Sequence, residues 1–179
     1  MKLFLVVLGG RTSLSTIELH DVRFVVGDSI EATFPELRRQ WFGELRGLHL
    51  DSYLEVRCID GFQVALRPEP FEGPERLWFV NLGAYDPEQL AELHRFGLVV
   101  AATPQAAKAR AKRRWLVGAE QQHKDDLCAV DDCLALEAVQ PWHVHLIPEP
   151  EGRSQPMRPD WYGYRRIDRP TPSPGPSVG

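Results

Sequence analysis

No stretch of this chain approaches the roughly 18 consecutive apolar residues that a membrane-spanning helix requires. The opening apolar run, Leu3–Leu8, is only six residues long and no small-x-small cleavage site follows it, so a secretion signal is not expected. Cysteine is scarce. Cys58, Cys128 and Cys133 cannot all pair and show no C-x-x-C spacing, which argues against a disulfide scaffold and for a reduced cytoplasm. An excess of positive charge is also missing: 21 Lys and Arg stand against 25 Asp and Glu, a net charge of −4. That balance speaks against a general binder of nucleic acid or of anionic membranes. HExxH, HxxxH, GxSxG, GxGxxG and GxxxxGK[ST] are all absent, removing the signatures of zinc proteases, α/β-hydrolases and phosphate-cradling loops.

What the chain does contain is a second copy of itself. A shift that lays Leu3 on Leu77 also lays Val6, Leu8 and Gly9 on Val80, Leu82 and Gly83. Glu18-Leu19-His20 then meets Glu92-Leu93-His94, Trp41 meets Trp115, and His49 and Asp51 meet His123 and Asp125. About fifteen identities fall between residues 3 and 56, where chance would give roughly three. About six extra residues in the second copy are then placed around Asp131–Leu136, after which Leu66–Pro70 matches Leu146–Pro150. At 179 residues, each copy alone would be marginal, so the two are expected to pack as one unit.

Each copy reads as strand, strand, helix and hairpin. Leu3–Leu8 and Leu77–Leu82 have the unbroken apolar character of buried strands, and Val22–Val26 and Leu98–Val100 are second β-rich runs. Ser29 and Thr103 suit helix N-caps, with Pro104 at the favoured first position and Pro35 tightening the opening of the first helix. Ile30, Phe34, Leu37 and Trp41 form one apolar stripe, as do Ala107, Ala111 and Trp115, so both tryptophans are assigned to the core. Asp60-Gly61 marks a tight hairpin; its counterpart Gln140-Pro141 must turn differently, because proline cannot adopt positive φ. The expected fold is α+β: two tandem, pseudo-twofold β-β-α-β-β repeats with antiparallel sheets, at 1–70 and 71–150. Residues 151–179 hold, with Pro150, seven of the fifteen prolines and read as a disordered tail. Trp161–Arg166 is the exception, able to anchor back onto the fold or to meet a partner.

The candidate chemistry lies in duplicated pairs: Glu18-x-His20, Glu92-x-His94, His49-x-Asp51 and His123-x-Asp125. In extended chain, residues i and i+2 share a face, which suits a carboxylate that orients an imidazole or two ligands of one metal ion. The competing reading is structural: an imidazole beside a carboxylate also satisfies loose backbone groups. His143-x-His145 is a further same-face pair, present only in the second copy. The basic helix 104–116, with Lys108, Arg110, Lys112, Arg113 and Arg114, is the one candidate nucleic-acid surface, and a solvated helix face is its default.

The segments KLFLVVLGG, IELHDVRFVVGDS, PELRRQWFG, LHLDS and LWFVNLGAYDPEQLAELH resemble a bacterial family known as the domain of unknown function 1543. The resemblance covers about residues 1 to 150 and implies one or two copies of the domain; it brings no activity, cofactor or catalytic residue. The copies differ where Asp21 becomes Arg95 and Gly27 becomes Ala101. Three readings follow. The first is a non-enzymatic binding or interaction module, compatible with a homodimer through a sheet edge. The second is a small metal-binding protein or hydrolase-like enzyme using the histidine–carboxylate pairs, and the third binds nucleic acid through the basic helix. The second requires at least two imidazoles and a carboxylate to converge.

Overall fold

The computed structural model describes residues 1–86, 88–115 and 128–169. Among them the chain divides into two compact units: Met1–Val56 together with the segment from Arg158, and Arg57–Met157. Each repeat supplies two strands, a helix and then three strands, the first strand expected after the helix being split in two, and every pairing is antiparallel.

The first unit is built around β1 (Lys2–Gly10), whose apolar residues are nearly all buried. It lies between β2 (Leu19–Gly27) and β3 (His49–Glu55), and β11 (Trp161–Arg166) completes the sheet beyond β3. Alternate residues Phe4, Val6 and Leu8 meet Val25 and Leu50 on one face. Helix α1 (Phe34–Gln40) closes that face with Phe34 and Leu37, joined by Ile30, Trp41 and Ile167. A 3-10 turn, Glu31–Thr33, precedes the helix, and Pro35 occupies its first turn, where the missing N–H costs nothing. Ser29 Oγ accepts from the Ala32 N–H at 3.3 Å, but the cap positions of the turn and of the helix fall on Ile30 and Thr33, neither of which makes a side-chain cap bond. Leu37 is fully buried, so Leu37→Ala would cost about 2–5 kcal/mol.

The second unit holds two sheets. In one, β6 (Arg76–Ala84) runs between β7 (Leu93–Ala101) and β8 (Cys128–Ala135), covered by Ala107, Ala111 and Trp115 of α2 (Pro104–Trp115). Thr103 Oγ1 caps α2 through the Ala106 N–H at 3.2 Å. The other sheet joins the hairpins of the two repeats: β4 (Cys58–Ile59), β5 (Phe62–Arg67), β10 (Trp142–Pro148) and β9 (Ala138–Val139), in that order. Asp60 (φ 52°) and Gly61 (φ 81°) make the positive-φ turn expected of them, whereas the Gln140–Pro141 peptide is cis. Both tryptophans lie in the core as assigned: Trp41 against Gly10, and Trp115 against Gly97.

Four expectations need correction. The two repeats do not pack as one unit, nor is each a unit by itself: β5 of the first repeat pairs with β10 of the second inside the unit Arg57–Met157. Strands β2 and β7 begin earlier than the apolar runs suggest, so His20 and His94 lie within strands rather than before them. Residues 151–160 are held to the fold rather than a free tail, and Trp161–Arg166 anchors back onto it as the sequence allowed. Gln155 Oε1 accepts from the Arg57 and Cys58 N–H groups, at 2.6 and 2.8 Å, and β11 pairs with β3. Last, the extra residues of the second repeat lie before β8. Leu136 N–H bonds Leu77 O as Val56 N–H bonds Leu3 O, which fixes the true correspondence in this region.

Candidate metal centre

Gly9 is the structural origin of the candidate centre. It pairs with His20 on β2 and with His49 on β3, so the two imidazoles flank a residue that has no side chain. A Cβ on Gly9 would lie 2.4 Å from His49 Nε2 and 3.1 Å from Asp51 Oδ2; glycine is what leaves that space to the cluster. The β1–β3 register shifts between Val7 and Leu8, which pair with Ser52 and Leu50, so Asp51 is the extra residue of a bulge. Bulges re-aim side chains, and this one delivers the carboxylate to both rings. Asp51 lies 3.2 Å from His20 Nε2 and 3.1 Å from His49 Nε2. Glu18, just before β2, adds its carboxylate at 3.5 Å from His49 Nε2 and 3.9 Å from His20 Nε2.

His49 is the buried member at 1 % exposure, whereas His20 is 54 % exposed. The His49 Nδ1 lies 2.9 Å from the Gly47 carbonyl, which can only accept, so Nδ1 carries the hydrogen. In the neutral ring, Nε2 then presents a lone pair to two carboxylates that also only accept. Such a cluster is satisfied by a cation among its members: a proton on the ring, or a metal ion. One ligand atom each from Glu18, His20 and His49 all lie within 4.8 Å of one another.

The second repeat is built differently. His94 pairs with Gly83 as His20 does with Gly9, and Glu92 lies 3.8 Å from its Nε2. Across Gly83, however, stands Ala129, and the register shift between Asn81 and Leu82 leaves Asp131 in the place of Asp51. In strand register the places of His49 and Asp51 are thus taken by Ala129 and Asp131. His123 and Asp125 themselves lie outside the described residues. The structure brings Glu18, His20, His49 and Asp51 together; in the second repeat His94 lies beside Glu92 and, at 3.4 Å, the Asn81 amide.

The other candidates have structural duties. Asp21, which differs between the repeats, binds Arg23 and its own neighbour's N–H rather than the cluster. His145 Nε2 donates to Glu69 O at 2.7 Å, holding the segment between β5 and β6. On α2, Arg110 and Arg114 turn to the Asp60 carboxylate at 3.2 and 2.6 Å, which breaks up the cationic face. The Cys58 and Cys133 thiols are raised by burial and so are poor nucleophiles. Sequence reasoning missed Gly9, Gly47 and Tyr164 as parts of the centre. The Tyr164 ring lies 4.1 Å from that of His49, and its one signal was the aromatic Trp161–Tyr164 motif in an otherwise Pro-rich segment.

The family model DUF1543, described as Domain of Unknown Function, matches residues 15–66 and 89–139. No curated protein matches the chain. A crystal structure of the protein Il1583 from Idiomarina loihiensis is similar, at 38% identity and a TM-score of 0.73 over 93% of this chain and 97% of that one. No helix among the described residues is long and apolar enough to cross a membrane.

Proposed function

The chain belongs to the DUF1543 family, in two tandem copies, and we propose that its first copy is a divalent transition-metal site. One observation carries this reading: Glu18, His20 and His49, from the two strand segments that flank β1, bring their ligand atoms within 4.8 Å of one another, and Asp51 lies against both rings. Two imidazoles with carboxylates are a ligand set suited to zinc, iron, nickel or copper more than to magnesium or calcium. Bonds of about 2.0–2.1 Å to a tetrahedral ion separate its ligand atoms by roughly 3.3 Å. The nitrogen–oxygen separations here, 3.1 to 3.9 Å, bracket that edge. The Gly47 carbonyl on His49 Nδ1 is the outer-shell partner that fixes which nitrogen faces the ion.

Two imidazoles, His20 and His49, and the Glu18 carboxylate lie together as the metal reading requires, which supports it over the other two. An ion held there would keep a solvent-facing position, because His20 and Glu18 are substantially exposed. A bound water would then be polarised, so hydrolytic substrates are the first to screen.

The test is metal analysis and Co2+ titration of protein purified without a histidine tag. About one ion per chain is expected, with binding weakened at least tenfold in His20→Ala and Glu18→Gln and unchanged in His94→Ala. A native chain that retains no metal and gives no Co2+ absorption band would overturn the proposal.

A further inference from the structure

The ligand side chains all lie within the first 55 residues, yet His49 is held from its outer side by residues 161–168. β11 pairs with β3 so that Arg166 lies opposite His49 and Arg165 opposite Leu50. The ladder shifts between Tyr162 and Arg165, and within that irregularity Gly163 has φ +151°, a conformation that side-chain-bearing residues rarely adopt. Tyr164 is thereby laid over His49, its ring 4.1 Å away and tilted by 31°, although Tyr164 is 65% exposed. A ring so exposed contributes little to a core. It covers an imidazole.

Beyond the strand, Ile167 is buried in the first unit's core, and its N–H bonds Leu48 O at 3.0 Å. Asp168 Oδ2 accepts from the Gly47 N–H at 3.1 Å, and the carbonyl of that same Gly47 takes the Nδ1 hydrogen of His49. Gly47 stands at φ +84°, a left-handed position. It is thus gripped on one side by the C-terminal segment and on the other by the ligand. From α1, Arg38 ties the segment down through Ile167 O at 3.0 Å.

The geometry points to Tyr164 and Asp168 as positioning residues of the metal centre, with Trp161–Asp168 a strap whose docking sets metal affinity. The inference rests on the metal reading above. Neither residue touches the ion's place: Tyr164 limits rotation of the His49 ring, and Asp168 holds the carbonyl that fixes its tautomer. Since the coupling of two sites is reciprocal, a metal ion on His49 must also tighten the strap.

The experiment is Co2+ titration of the full chain as native protein, Tyr164→Phe, Tyr164→Ala and Asp168→Ala. Loss of outer-shell partners weakens metal sites by about 10–100-fold. That range is expected for Tyr164→Ala and Asp168→Ala, while Tyr164→Phe, which keeps the ring, stays within about twofold. Alanine variants that bind as tightly as native protein would overturn the strap's role and leave the metal site standing. A native chain that binds no Co2+ overturns both. Should an alanine variant fail to fold, amide exchange of residues 161–168 in native protein decides. Slower exchange with Zn2+ bound supports the coupling, and identical exchange refutes it.

Discussion

Gly9 and His49 face each other across paired strands with no room for one more atom: a Cβ on the glycine would lie 2.4 Å from the imidazole Nε2. The glycine does not relieve backbone strain here. It leaves empty the volume that two imidazoles and two carboxylates occupy.

Gly9→Ala should therefore displace His49, which is buried and held by Gly47 and Tyr164 and cannot simply swing away. Forcing an extra methyl into such a site costs about 1–3 kcal/mol. Urea unfolding should show that loss, with Co2+ binding abolished. Unchanged stability with normal metal binding would mean that the ring can move aside, and that the cluster is looser than its packing implies.

In the second unit, Asp60 is the residue whose loss should be felt most. Its carboxylate is 4% exposed and accepts from the Val100 N–H at 2.8 Å as well as from Arg110 and Arg114. Asp60→Ala orphans those donors and puts alanine at φ 52°, where left-handed backbone and unmet donors together cost about 2–4 kcal/mol. Asp60→Asn, which tolerates that conformation and keeps an acceptor, should lose less than half as much. Equal losses in chemical unfolding would show that backbone conformation plays no part.

Acid should loosen the strap only as the pH falls towards 2. Arg166, and then the Gly47 N–H, hold the Asp168 carboxyl down at about 2, against its ordinary value of 3.8. A carboxyl lowered in the folded state contributes its stability above the unfolded-state value and loses it as pH falls through the folded one. The stability difference between native protein and Asp168→Asn should therefore be constant above about pH 5 and shrink between about pH 4 and pH 2. Equilibrium unfolding as a function of pH measures it. A difference that stays flat down to pH 2 would show that Asp168 is not ionised in its contacts with Arg166 and Gly47.

How much of this could be read from residue order alone depended on distance along the chain. The Ile30–Trp41 stripe placed the first helix and its buried tryptophan, because a 3.6-residue period needs only neighbours to express it. Asp60-Gly61 placed a hairpin for the same reason. Glu18 and His20 were legible as a same-face pair, since strand alternation is local as well. Their duplication misled once: the His49/His123 match looked like part of the repeat, and only the β6–β8 register, with Ala129 opposite Gly83, showed that the insertion precedes the strand.

The sequence thus contained the two repeats, their strands and helices, the core tryptophans and the chemical identity of a possible ligand set. It did not contain the partners of the strand edges. Backbone N–H and C=O groups are the same in every residue, so nothing local says that β5 will pair with β10, or that Trp161–Arg166 will lie beside β3. Those choices are made by long-range competition among edges for a place where side chains also fit. At the metal centre, that competition joined residues 9, 18–20, 47–51 and 164–168 into one site.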